Sequence, residues 1–130
     1  MHLLAGTFVP GTQPDGNSVV FVAAAGLVVV DTGRHAAHTQ RILDFAAVAE
    51  LPVKAVVNTH WHRDHIGGNG RVRQAFPGVR VYASGAFEAA RTGFLARYRR
   101  DLEQAVASMD ADAGTVAAMR AELALLDAAP

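Results

Sequence analysis

The chain has 130 residues, enough for one compact core and too few for two ordinary domains. Its hydrophobic fraction of 51% excludes a disordered chain, and twelve basic against twelve acidic residues leave no net field to recruit nucleic acid or an anionic membrane. With no cysteine, a disulfide framework and a thiolate metal cluster are both excluded, so any transition-metal site must use imidazole and carboxylate.

In chain order, Leu3 to Val9 reads as a first strand closed by Pro10-Gly11, followed by loop residues to Asn17. Ser18 to Ala24 and Leu27 to Val30 are β-branched runs joined around Gly26, a hairpin, and their near-continuous apolarity predicts strands covered on both faces. Asp31-Thr32-Gly33 ends the second strand. Ile42, Phe45, Ala46 and Ala49 recur at helical spacing between Ala36 and Glu50, and Pro52 closes that helix. Val53 to Val57 is a short buried strand, Asn58 to Asp64 a polar segment, and a short helix runs to Phe76. After Pro77-Gly78, Val79 to Ala83 is another strand. Strands first, then strand and helix in alternation, predict an α/β layer structure. From Ser84, a candidate N-cap, the spacing of Phe87, Phe94, Tyr98, Leu102 and Met109 becomes helical. Asp110 to Gly114 interrupts it, and Val116, Met119, Leu123 and Leu126 mark a second amphipathic helix. These stripes are read as helix packing, and the helices after Ser84 offer a face for a homodimer.

No signal peptide opens the sequence, and the longest apolar run, Val19 to Val30, is broken by Gly26 and too short to span a bilayer. A cytoplasmic protein without a membrane partner is expected.

The chemistry concentrates in Asn58-Thr59-His60-Trp61-His62-Arg63-Asp64-His65-Ile66-Gly67-Gly68. Three of the six histidines and an aspartate fall within six residues, directly after a buried strand. A spacing of two in extended chain puts His60 and His62 on one side, able to grip one ion. Asp64 and His65 fall where the chain turns and can point back at a neighbouring position. Two such pairs suggest two ions, which in hydrolytic sites lie roughly 3.5–4 Å apart. Gly67 and Gly68 let the backbone approach these side chains closely.

The string His60-x-His62-x-Asp64-His65 with Gly67-Gly68 resembles the signature of the metallo-β-lactamase superfamily, and Asp31-Thr32-Gly33 is similar to that family's strand-end motif. The resemblance covers residues 3 to 85. It implies the first half of an αββα sandwich, followed by two or more amphipathic helices. Residues 1–85 would form the N-terminal half of the domain, and 86–130 a helical segment continuing it, in a truncated chain. It further implies zinc, two ions in the complete site, with His60 and His62 serving the first metal and Asp64 and His65 the second. Asp31 would stand behind these residues and Thr59 would be a hydrogen-bonding neighbour. The implied reaction is hydrolysis of a small-molecule carbonyl compound, phosphate ester or sulfate ester by a metal-activated water. Asp64 is the catalytic residue, binding the second metal or taking the proton from the water if one ion is present. The wording Asn58-Thr59-His60-Trp61-His62 leans toward the lactamase-like branch.

The sequence departs from the family pattern in having no histidine after His65, so both metals are left short of protein ligands. Asp101, Glu103, Asp110 and Asp112 lie on or between packing helices and are not read as bridging ligands. Two alternatives come from other classes. One is an iron-dependent oxidoreductase on the same donors, with manganese a further candidate ion; the other is a non-catalytic helical interaction module. Among the remaining residues, His2 is expected to be exposed. His35 and His38 lie at i, i+3 on the wet first turn of a helix, where a ligand role is the less favoured reading. Trp61 is expected opposite His60 and His62, lining a cleft or packing. Arg63 is read as a solvated arginine, with steering of an anionic substrate as the alternative. Arg97, Arg99 and Arg100 are read as an ion-paired face beside Asp101 and Glu103.

Overall fold

A computed structural model describes residues 1–108 and 112–127, the last of these for its backbone alone. Met109 and Asp110, named above, lie outside the described residues. Five strands form one mixed sheet in the order β1 (His2–Leu4), β2 (Ser18–Ala23), β3 (Gly26–Val30), β4 (Val53–Val57) and β5 (Arg80–Tyr82). The first three pair antiparallel, and β3–β4 and β4–β5 are parallel. Parallel neighbours need crossovers, supplied by α1 (Ala36–Ala49) and by α2 (Arg63–Ile66) with α3 (Asn69–Ala75). The α/β class holds.

Val20, Val29 and Val56 stand opposite one another across β2, β3 and β4 and are completely buried. Leu27, Val53, Ile42 and Ala46 of α1, and Val72 of α3 complete this core. The helices cover one face of the sheet. On the other face Phe21, Val57 and Tyr82 are exposed, which corrects the expectation of strands covered on both sides.

β1 is shorter than expected. It pairs with β2 only over His2–Leu4, and Phe8 and Val9 are exposed in the loop that follows. Apolar side chains alone do not make a strand where no neighbour takes up the backbone hydrogen bonds. The N-cap of the next helix is Gly85 rather than Ser84, whose carbonyl instead accepts from the amide of Phe87. After β5 come α4 (Ala86–Ala90), a π-helical turn (Arg91–Leu95), α5 (Ala96–Ser108) and α6 (Ala113–Asp127), with α5 packed on α6. Val116, Met119, Leu123 and Leu126 are half-buried, as the helical stripe predicts. Asp112 accepts the amide and hydroxyl of Thr115 at the start of α6, so its carboxylate is already engaged locally. Arg99 pairs with Glu103 at 3.6 Å across one helical turn, part of the expected ion-paired face.

Candidate metal centre

β3 and β4 are parallel neighbours, so their carboxyl ends open side by side, where crossover chains leave an α/β sheet. Asp31-Thr32-Gly33 leaves β3 and Asn58 to His65 leaves β4. Backbone bonds tie the two segments together: the amide of Thr32 donates to the carbonyl of His65 at 2.8 Å, and that of Gly68 to Gly33 at 3.0 Å. Below them Asn69 is wholly buried, accepting from Thr32 Oγ1 at 2.9 Å and donating to Asn58 Oδ1 at 2.8 Å.

The three imidazoles of the motif gather on this frame. The ring of His60 lies 4.6 Å from that of His62 and 4.1 Å from that of His65. Asp64 Oδ2 stands 3.2 Å from His65 Nε2. Among the described residues, no group of three or more His, Asp or Glu side chains has its donors already gathered on one point.

Asp31 decides which nitrogens these rings present. It is 3% exposed, and its backbone is left-handed at φ 59°, a conformation costly for most residues but tolerated by aspartate. Its Oδ1 accepts from the amide of Thr59 at 2.8 Å. Its Oδ2 accepts from the Thr59 hydroxyl at 2.7 Å and meets His65 Nδ1 at 2.7 Å. A carboxylate offers only acceptors, so His65 must carry its proton on Nδ1 and Thr59 must spend its single hydroxyl proton on Asp31. Thr59 Oγ1 then accepts from His60 Nδ1, 3.0 Å away. When neutral, each ring thus keeps Nε2 unprotonated, the form in which imidazole binds a cation. Burial holds the pKa of His60 below the usual imidazole value, with the nearby His65 and His62 adding to the effect.

His65 Nε2 consequently faces Asp64 Oδ2 with a lone pair on each atom. Two acceptors 3.2 Å apart repel unless a second proton or a cation lies between them. Either satisfies the contact; of cations, these nitrogen and oxygen donors suit a divalent ion, of which zinc is the commonest with imidazole.

Several residues differ from their sequence reading. His38 is not on a wet turn: it is 2% exposed, with Nε2 2.8 Å from Ser18 Oγ and Nδ1 without a hydrogen-bond partner. His35 Nε2 donates to the carbonyl of Gln13 at 2.7 Å. Trp61 does not turn away from its neighbours; its ring stands edge-on to His62 at 4.6 Å and 5.2 Å from Phe94, which stacks on Tyr98. Arg63 is not solvated and pairs with Glu122.

Gly67 and Gly68 do admit close backbone approach, but toward Arg34 and Thr32 rather than the imidazoles. The glycine that makes room for the motif is Gly16, where a Cβ would lie 2.8 Å from the His65 ring. Its neighbour Asp15 accepts the amides of Arg34 and His35 ahead of α1, at 2.6 and 2.8 Å. Nothing local in the loop sequence singles out either residue.

Comparison with known proteins assigns the chain to a family. The family model of the metallo-beta-lactamase superfamily matches residues 11–122. A hydroxyacylglutathione hydrolase of Gloeobacter violaceus is 40% identical over 62 residues, covering 48% of this chain and 23% of that protein. A linear primary-alkylsulfatase of a Pseudomonas species is 43% identical over 47 residues, covering 35% of this chain and 9% of that protein. Among solved structures, a metallo-beta-lactamase from Hirschia baltica superposes with a TM-score of 0.52 at 26% identity, over 65% of this chain and 38% of that one. The matched stretches thus span well under half the length of each of these relatives. The match over most of its length joins the strand-end histidine motif and the α/β frame that carries it in one assignment: the chain belongs to the metallo-beta-lactamase superfamily.

Proposed function

We propose that the His60–His65 loop is the cation-binding loop of a zinc-dependent hydrolase acting on a small-molecule carbonyl compound, phosphate ester or sulfate ester. The observation that carries this reading is the hydrogen-bonded chain linking Asp31, Thr59, His60 and His65, which in the neutral rings puts the protons on Nδ1 and leaves each Nε2 open to a cation. His60 and His62 would hold one ion, and Asp64 and His65 a second. When bound, zinc supplies a Lewis acid and acidifies water from a pKa of about 15.7 to about 7. Asp64 would bind that second ion or, if only one ion is present, take the proton that the attacking water gives up. Trp61, Phe94 and Tyr98 form an aromatic wall beside the loop, against which an apolar part of a substrate would pack. The relatives named above support ester-type bonds, thioester in one and sulfate in the other.

The test is turnover of a hydroxyacyl thioester, an alkyl sulfate and a β-lactam by the zinc-loaded protein that contains this chain. Chelator-sensitive hydrolysis of at least one, abolished by His60→Ala, is expected. Hydrolysis indifferent to both chelator and His60→Ala contradicts the proposal. Iron on the same donors is the competing occupant, and elemental analysis of the purified protein separates the two.

A further inference from the structure

Arg34 follows directly on Asp31-Thr32-Gly33, and Arg63 lies between His62 and Asp64. Both point away from solvent, with side chains 8% and 19% exposed. They meet at a single carboxylate from α6: Arg34 Nη1 pairs with Glu122 Oε1, and Arg63 Nε lies 2.6 Å from Glu122 Oε2. The guanidinium of Arg63 also sits 4.5 Å over the ring of Tyr98. This pairing is incomplete. Two cations share one anion, Arg34 Nε is buried with no hydrogen-bond partner, and neither Arg63 Nε nor Glu122 Oε2 is aligned for a hydrogen bond. A cavity of about 630 Å³ opens at the same place, lined among others by Arg34, Arg63, Tyr98, Leu102, Glu122 and Leu125.

A purely structural ion pair accounts poorly for this arrangement. Unmatched buried charge is destabilising. Guanidinium forks match the planar carboxylate, the group that Glu122 already presents to them. We propose that Arg34 and Arg63 form a subsite for a carboxylate group of the substrate, and that Glu122 fills this subsite from within until the substrate displaces it. The substrate role rests on the hydrolase reading above, whereas the binding itself does not. As a tethered competitor, Glu122 acts at an effective concentration in the mM range, so an external carboxylate binds the native chain weakly.

Glutarate is the probe, titrated by calorimetry into the whole chain without metal. Glu122→Gln is expected to bind it about tenfold or more tightly than the native chain. Adding Arg63→Gln to that variant is expected to abolish the gain. Equal affinity in all three proteins overturns the proposal, and tighter binding of sulfate than of glutarate overturns the choice of carboxylate. Should Glu122→Gln not fold, amide hydrogen exchange of the native chain decides. Saturating glutarate is expected to speed exchange in α6 and leave β3 and β4 unchanged, and no change in α6 overturns the subsite. Zinc titration of the same proteins is independent: failure to bind zinc contradicts the hydrolase reading while glutarate binding stands.

Discussion

Asp31 occupies the last position of a strand end whose side chain must satisfy three donors at once, and it does so from a left-handed backbone. Asparagine tolerates the same conformation, so Asp31→Asn tests the carboxylate with the backbone kept. The amide would donate where the carboxylate accepts, pushing the proton of His65 toward Nε2. Zinc affinity measured by competition with a chromophoric chelator is expected to fall about 10- to 100-fold, with the circular dichroism spectrum retained. His38 carries a prediction of another kind. Burial lowers its pKa from the ordinary 6.5, opposed by Asp15 and reinforced by Arg41 and His35. A histidine held neutral in the folded state takes up its proton more readily when unfolded. Its contribution to stability is therefore full above pH 6.5 and is lost as pH falls from there toward the depressed folded value. Urea unfolding is expected to show stability falling by up to about 1.4 kcal/mol per pH unit in that window. His38→Gln should flatten the slope, and an unchanged slope would assign the effect to His60 or another group. At this scale the gathering of the three imidazoles was legible because they sit within six residues of one another. Asp15, Gly16 and the burial of His38 were not, since each depends on a partner some twenty or more residues away.

α1 and β4 begin and end within a residue of where hydrophobic spacing and Pro52 put them, because each is long enough for one period to dominate. β1 and the N-cap of α4 were misplaced, because strand pairing and cap geometry are set by neighbours rather than by composition. α1 ends on Glu50 at φ 53°, a position where glycine is the natural residue and a side chain is strained. Glu50→Gly is expected to stabilise the fold by about 0.5–1 kcal/mol, read as a higher urea midpoint, since relief of the left-handed strain exceeds the added freedom of the unfolded chain and the glutamate side chain is exposed. A lower midpoint would mean that the loss of backbone restraint in the unfolded chain outweighs the strain. The π-helical turn at Arg91–Leu95 was not foreseen; it sets Phe94 against Trp61 at the edge of the metal loop. Such turns often mark functional sites, and this one shapes the aromatic wall.

Over the whole molecule, a single sheet carries helices on one face and leaves Phe21, Val57 and Tyr82 exposed on the other. This sheet with its flanking helices fits the expected αββα arrangement, and α5 and α6 reach back to the histidine loop through Tyr98 and Glu122. That return was not legible, since an amphipathic stripe shows that a helix packs and not what it packs on. The account holds together only if the loop after β4 captures a divalent cation. Calorimetric titration of zinc into the chain, repeated with His62→Ala, measures this directly. Saturable binding that is lost in the variant is the predicted result. Heats at the level of dilution for the folded chain, or equal binding by chain and variant, would contradict it.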